Sequence, residues 1–154
     1  MLCIDEASLV AIKEHGQRSY PEECCGILLG KVFDDGTRNL TELHPLENRQ
    51  TESRQNRFLI EARDMLRAEK HAREKGVDIL GFYHSHPDHE ARPSQFDREH
   101  AWPWYYYIIV SISQGIPGSL TCWELDEDRS RFHAVEVGLS TSAACIKSEE
   151  KSHA

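Results

Sequence analysis

Two histidines, His84 and His86, end an apolar segment and directly precede Pro87. On a β-strand, side chains two positions apart point to the same face, so both imidazoles could bind one metal ion. Histidine nitrogens are common zinc ligands. An HxH pair is equally consistent with two ordinary histidines beside a loop, so further ligands are needed before it indicates a site.

Ser94 and Asp97 follow at a spacing that could complete such a site. Seven residues separate His86 from Ser94, and two more precede Asp97. A loop of that length can turn back so that the first turn of a helix faces the histidines. Two histidines and a carboxylate form a zinc ligand set with a fourth position open for water, which is typical of catalytic sites.

Helix capping is the alternative interpretation of Ser94 and Asp97. A serine followed three positions later by an acid, here behind Pro93, is a variant of the capping box. Taken alone, this pattern favours a cap. We expect the two roles to compete, because a carboxylate that ligates zinc is not free to cap Ser94.

Glu23 is the best candidate for a catalytic base. Bound zinc lowers the pKa of water to about 7, and a nearby carboxylate can take its proton and deliver it to a leaving amine. Glu23 directly precedes the apolar segment from Cys24 to Phe33. The alternative is a surface acid before a strand, since the chain has 26 acidic residues.

Together these positions match a known motif. Glu23-x-x-Gly26, His84-x-His86 and Ser94-x-x-Asp97 have the spacing of the JAMM motif, and the chain resembles the JAMM/MPN+ metalloprotease family (Mov34/MPN) from about residue 4 to residue 137. The resemblance implies that three residues ligate zinc, namely His84, His86 and Asp97. It also implies that Glu23 is the general acid/base and that Ser94 helps to stabilise the oxyanion, which favours an outward-facing hydroxyl over a pure cap.

The implied fold is the MPN fold, a curved mixed α/β sheet flanked by helices and similar to that of cytidine deaminases. The sequence pattern agrees. Hydrophobic spacing and end signals predict helices over 5–18 and 61–75, a short helix from Ser94, and strands over 24–33, 38–46, 58–60, 78–84, 105–112, 120–125 and 131–137. We expect one catalytic domain over residues 1–138 and a disordered tail over 139–154, which is small, polar and charged.

The substrate expectation also follows from the resemblance. Best-known members of the family cleave isopeptide bonds to ubiquitin. The segments around Glu23 and His84 resemble the short prokaryotic branch, whose members act on ubiquitin-like sulfur-carrier proteins of the ThiS/MoaD type and cleave after their Gly-Gly end. An extended Gly-Gly tail needs a narrow groove, which strand addition beside the zinc would supply.

Two rival functions remain open at this stage. One is a non-catalytic MPN scaffold or binding module, although such domains usually lose ligands and all motif positions are present here. The other is a zinc deaminase on a similar fold, which would require a His/Cys/Cys ligand set and a PCxxC segment. The chain lacks that segment.

Composition narrows the setting. A formal net charge of −8 disfavours nucleic acid as a partner. The sequence has neither an apolar run long enough to span a membrane nor a recognisable signal peptide, so we expect a cytoplasmic protein. Five cysteines, an odd number, argue against a disulfide framework.

Three further features have two interpretations each. His89 could touch substrate or carry a proton, or be an exposed loop histidine. The aromatic run 102–107 is more typical of core packing than of ligand stacking. The polar segment 47–57 could be a lid over the site or a plain connection.

Overall fold

The computed structural model describes residues 1–48 and 60–153. Within these ranges the chain forms eight strands and four helices. In chain order they are β1 (Leu2–Ile4), α1 (Glu6–Ser19), β2 (Cys25–Val32), β3 (Arg38–Leu46), α2 (Ala62–Lys75), β4 (Asp78–Pro87), α3 (Gln95–His100), β5 (Tyr106–Ser113), β6 (Ile116–Leu125), β7 (Phe132–Val135), β8 (Val137–Leu139) and α4 (Ala143–His153).

All eight strands join one sheet in the order β7-β6-β5-β4-β2-β3-β1-β8. The pairs β4–β5, β1–β3 and β1–β8 are parallel and the others antiparallel. Strands and helices therefore combine as the mixed α/β class that the sequence predicts. The predicted strand 58–60 falls largely outside the described residues.

The sheet is strongly curved, because its two edges meet. The sequence predicts one strand over 131–137, but the chain divides there into β7, which pairs with β6, and β8, which pairs with β1. Only Glu136 lies between them, and its carbonyl accepts a hydrogen bond from the Leu2 amide at 2.8 Å. Since one residue spans only about 3.5 Å, the end of β7 at one edge lies next to the start of β8 at the other.

Two apolar clusters cover the faces of the sheet. α1 contributes Ile12 to the first, with Leu28 and Ile108 from the strands. α2 contributes Ala68 and Ala72 to the second. The central strands β2, β4 and β5 are consequently buried on both faces, which explains their nearly continuous apolar sequences.

An irregularity in β4 decides which face its histidines occupy. The register against β2 steps from Leu28↔Gly81 to Leu29↔Ile79, so that Leu80 is an extra residue. Ile79 and Phe82 therefore join the same apolar cluster although an odd number of positions separates them. A β-bulge re-aims the side chains beyond it. From Phe82 onward, normal alternation turns the even-numbered side chains toward α2.

Gly81 makes this bulge possible. A Cβ atom at Gly81 would lie 1.8 Å from the carbonyl oxygen of Tyr106 on β5. The backbones of β4 and β5 thus approach too closely at this point for any other residue.

Residues 139–153 are ordered, whereas the sequence predicted disorder over 139–154. Leu139 ends β8, and α4 follows. A Cys3–Cys145 disulfide joins α4 to β1, and the Asp34 amide donates to Ser152 Oγ at 2.9 Å. The segment is polar, so its composition indicated disorder, but a covalent link through the buried Cys3 holds it in place.

This disulfide is also at odds with the cysteine count, which argued against such bonding. The other three cysteines, Cys24, Cys25 and Cys122, are free thiols and buried. Disulfides persist in oxidising surroundings and are rare in the cytosol. The expectation of a cytoplasmic protein therefore did not predict this bond. No helix in the described ranges is long and apolar enough to cross a membrane.

We predict that Cys145→Ser lowers the melting temperature. The disulfide closes a loop of 142 positions and so reduces the entropy of the unfolded chain, and its loss stabilises the unfolded state. A disulfide typically contributes about 2–4 kcal/mol, which corresponds to roughly 5–15 °C at this chain length. Differential scanning calorimetry measures the shift.

Cys3→Ser is the matched control. Both single variants and the double variant should have the same melting temperature. Dithiothreitol should lower the melting temperature of the parent protein and leave those of the variants unchanged. Equal melting temperatures for the parent with and without reductant would show that Cys3 and Cys145 are not bonded.

Candidate metal centre and active site

The two histidines lie at the C-terminal end of β4, between β2 and β5. His84 is paired in register with Cys25 on one side and Ile109 on the other, and is only 1% exposed. His86 is two positions on and also buried. The sequence predicts a strand that ends at His84, but pairing with β5 continues it to Pro87. Both imidazoles thus project from one rigid strand, with their Nε2 atoms 3.1 Å apart.

Asp97 closes this pair from the first turn of α3. Its Oδ1 lies 3.2 Å from Nε2 of His84, and its Oδ2 lies 3.1 Å from Nε2 of His86. The carboxylate is 7% exposed. The structure therefore brings together the three residues that the motif spacing pointed to.

Asp97 and Ser94 also form a capping box. Ser94 Oγ accepts from the Asp97 amide at 3.0 Å, and Asp97 Oδ2 accepts from the Ser94 amide at 2.8 Å. The expectation set capping against zinc ligation, and here the carboxylate that caps Ser94 also faces both histidines, so the cap does not turn it away from them. The hydrogen bond from the Ser94 amide fixes the orientation of the Asp97 side chain, and in this orientation its oxygens face the imidazoles.

The distances among these donors fit a zinc ion. Zinc bonds to histidine nitrogen and carboxylate oxygen at about 2.0–2.1 Å in tetrahedral sites, so neighbouring donors should lie about 3.3 Å apart. The two Nε2 atoms lie 3.1 Å apart, and each lies 3.1–3.2 Å from a different oxygen of Asp97. Residues of the right type thus lie at the spacing that such an ion requires.

The protonation states also fit. His86 Nδ1 lies 2.8 Å from the carbonyl of Glu90, a contact in which the ring must donate, so the tautomer that offers its lone pair on Nε2 is the one this contact favours. Burial lowers the pKa of His84, which favours the neutral ring. Burial alone would raise the pKa of Asp97, but the facing imidazoles of His84 and His86 hold it below its usual range, so the carboxylate is ionised.

Glu23 supplies a second buried carboxylate beside the same histidines. It is 2% exposed and lies just before β2. One of its oxygens and the histidine nitrogens all lie within 4.8 Å of one another, a group that could itself hold a metal ion. Two donor sets are therefore conceivable around one histidine pair, one with Asp97 and one with Glu23.

The backbone around Glu23 is fixed from β4. Ser85, the residue between the histidines, points to the opposite face and is fully buried. Its Oγ accepts from the Cys24 amide at 2.8 Å, and its amide donates to the Cys24 carbonyl at 3.2 Å. Asn48 Nδ2 donates to the Glu23 carbonyl at 3.0 Å. Sequence reasoning missed Ser85, although a small hydroxyl residue within HxH was a visible signal.

Gly26 of the motif has a steric role. A Cβ atom there would lie 2.1 Å from the ring of Tyr83 on β4. The ring of Tyr83 occupies that space, and its hydroxyl lies 2.7 Å from His15 Nδ1 on α1. Gly26 thus lets β2 and β4 pack closely beside the site.

Two depressions flank the donor cluster. An apolar cavity of about 170 Å³ reaches His84 and Asp97 and is lined by aromatic rings that include Phe82, Phe96 and Trp102. On the other side a polar depression contains His86, His89, Glu90, Arg92 and Ser94.

The structure bears differently on the three features that have two interpretations each. His89 is exposed beside His86, a position that leaves its role open. In the aromatic run, Tyr106 and Tyr107 are core residues, as favoured, whereas Trp102 and Trp104 are about half exposed. Cys24 and Cys25 are buried, and burial raises the pKa of the Cys24 thiol to about 11, so neither is an activated nucleophile. The segment 47–57 lies largely outside the described residues.

Known proteins similar to this chain were identified in three comparisons. The family model for prokaryotic homologues of the JAB domain matches residues 5–126. A desampylase from Haloferax volcanii is 37% identical over 119 residues, which cover 75% of this chain and 80% of that protein.

Solved structures agree in fold. A protein from Salinibacter ruber is 43% identical with a TM-score of 0.72, over 92% of this chain and 93% of that one. A protein from Desulfitobacterium hafniense is 28% identical with a TM-score of 0.78, over 90% and 92% of the two chains. A JAB1/MPN domain protein from Archaeoglobus fulgidus is 22% identical with a TM-score of 0.57, over 89% and 97%, and supports the fold alone. The curved sheet, the site geometry and these matches place the chain in the family of prokaryotic JAB-domain (JAB/MPN) proteins.

Proposed function

We propose that this protein is a zinc-dependent peptidase that hydrolyses the amide bond after the Gly-Gly end of a ubiquitin-like protein. The observation that carries the proposal is the convergence of His84, His86 and Asp97 within 3.1–3.2 Å contacts, with Glu23 beside them. The family match and the similarity to a protein named desampylase support it.

Asp97 is the better third ligand of the two carboxylates. Each of its oxygens lies at about the donor spacing of a zinc site from one of the two imidazoles, and its orientation is fixed by the cap. His84, His86 and Asp97 would therefore hold the ion, and Glu23 is left for proton transfer. Zinc at this position supplies Lewis acidity and lowers the pKa of water to about 7.

Glu23 acts as general base and then as general acid. Its carboxylate takes a proton from the attacking water, whose oxygen bonds to the carbonyl carbon. Glu23 then returns the proton to the amine nitrogen as the C–N bond breaks. No covalent enzyme intermediate forms, so the buried thiols Cys24 and Cys25 have no part in the reaction.

Ser94 stabilises the developing oxyanion. Its oxygen accepts from the Asp97 amide, which leaves the hydroxyl hydrogen available to donate. The residue is exposed and borders the polar depression next to His86. A donor there would meet the carbonyl oxygen of a bound amide, so the cap and the oxyanion role are compatible.

The substrate class is the finer part of the proposal. The name desampylase denotes removal of a small ubiquitin-like archaeal modifier by the Haloferax volcanii relative. For the present chain we propose a ubiquitin-like protein of the sulfur-carrier (ThiS/MoaD) type, in keeping with its short loop between His86 and Ser94.

We predict that Glu23→Gln abolishes cleavage while zinc stays bound, since the amide keeps the size of the carboxylate but cannot accept the proton. General acid–base catalysis typically accelerates a reaction by about 10²–10⁴-fold. We expect kcat to decrease by a factor of that size. Turnover of a Gly-Gly-extended carrier and metal content by mass spectrometry are the two measurements. Loss of zinc in this variant would instead make Glu23 a ligand.

We predict that Asp97→Ala loses both zinc and activity, because it removes a ligand. Asp97 is also part of the cap, so Ser94→Ala serves as the matched variant. Ser94→Ala should lose about 1 kcal/mol of stability from the cap and about 10²–10³-fold in kcat, yet retain zinc. Stoichiometric zinc in Asp97→Ala would exclude Asp97 as a ligand.

We predict cleavage immediately after Gly-Gly in a ThiS- or MoaD-type carrier that bears a C-terminal extension, because only residues without side chains fit a narrow groove to the zinc. Intact-mass analysis of the products locates the cut. The same carrier ending in Ala-Ala is the control and should resist cleavage. A protein that binds no zinc and cuts neither carriers nor ubiquitin-like isopeptide conjugates would be a scaffold module.

A further inference from the structure

Helix α3 is short, although it positions two residues of the candidate site. It has six residues, and it carries both Asp97 and the cap residue Ser94. Isolated helices of this length are not stable in water, so tertiary contacts must hold them. Its buried side chain is Asp97, and only Ala101 at its C-cap joins the apolar cluster on that side of the sheet. The capping box fixes the N-terminal end, so the C-terminal end needs a separate restraint.

Arg129 provides that restraint from another part of the chain. It lies in the connection between β6 and β7 and donates to three carbonyl groups at the end of α3. The acceptors are those of Ala101 at 2.7 Å, Glu99 at 3.2 Å and Arg98 at 3.3 Å. The last carbonyls of a helix have no partner within it, and a cation at that end is also favourable to the helix dipole.

A return contact reinforces the restraint. Arg98 Nη1 on α3 lies 3.4 Å from the carbonyl of Ser130, the residue after Arg129. The connection itself is rigid, since the Asp126 amide donates to the Arg131 carbonyl and the Arg129 amide to the Asp126 carbonyl, both at 2.9 Å. The Ser130 amide donates to Asp128 Oδ1 at 3.0 Å.

The backbone of Arg129 is an independent observation. Its φ is +62°, in the left-handed region that favours glycine. An ordinary residue there costs free energy and persists where its surroundings determine the conformation. Arg129 is exposed, so it contributes no core packing. Its side chain is therefore the feature that this position uses.

We propose that Arg129 is a positioning residue for the metal centre: its guanidinium fixes the C-terminal end of α3 and so holds Asp97 and Ser94 against His84 and His86. This inference rests on the proposed function. It means that α3 is fixed at both ends, by its own capping box and by a residue some thirty positions later in the chain.

Arg129→Gly is the decisive variant. Glycine suits a φ of +62°, so the connection should keep its conformation while the three hydrogen bonds are lost. Arg129→Lys is the conservative variant, since one ammonium group cannot span three carbonyls and should restore only part of the effect. Arg131→Gln is the matched control, because Arg131 lies in the same connection and pairs with Asp126 instead.

Three readouts separate positioning from general stability. Amide exchange of residues 98–101 should speed up in Arg129→Gly, while the β2 and β4 amides stay protected. Zinc affinity in a chelator competition should fall about 10–100-fold, the usual effect of losing a group that orients a ligand. In the cleavage assay of Arg129→Gly, kcat should decrease by a larger factor than KM increases. Arg129→Lys should be intermediate, and Arg131→Gln should match the parent.

The outcomes distinguish this inference from the proposed function. A parent protein that binds no zinc overturns the proposed function, and with it the role of Arg129 at the metal centre. A parent protein that binds zinc and cleaves, beside Arg129→Gly and Arg129→Lys variants with unchanged affinity and kcat, overturns the Arg129 inference alone. A uniform loss of protection over all strands in both variants would make Arg129 a general stability residue and would also overturn it.

Discussion

The approach of two imidazoles and one carboxylate, whose facing atoms lie 3.1–3.2 Å apart and away from water, is the constraint on which the rest of this structure depends. Burying a carboxylate costs free energy unless it is hydrogen-bonded. Asp97 meets this requirement with the backbone amide of Ser94, and its two oxygens face the imidazoles of His84 and His86. The contacts demand that β4 and α3 be held at a fixed separation, and β2, which brings Glu23 to the same place, must be held against β4 as well.

Each functional side chain is fixed by a local interaction of ordinary type. Gly81 admits the bulge that turns the histidines toward α2. Ser85 binds the backbone of Cys24, so Glu23 is anchored by the strand that carries the histidines. Asp97 is oriented by the cap that it shares with Ser94. The structural roles of these residues therefore coincide with the positions of their proposed chemical roles, and a capping residue can also face the histidine pair.

The surroundings of the cluster differ in polarity from one depression to the next. One side is apolar and aromatic, with Trp102 half exposed at its border. The other side is polar and contains Ser94 and His89. The thiols of Cys24 and Cys25 are buried, and burial raises the pKa of Cys25 to about 12, so neither competes as a nucleophile. The proposed water-based mechanism is consistent with this distribution of groups.

The sequence by itself determined the residue types and spacings of the site, the class of fold and most helices and strands, because hydrophobic periodicity and motif spacing are local properties of the chain. Only the tertiary structure decided the rest. The division of 131–137 between opposite sheet edges, the Cys3–Cys145 bond and ordered α4 all depend on contacts between distant segments. So do the dual role of Asp97 and the restraint from Arg129, since no local pattern records which backbone carbonyls a side chain reaches after folding.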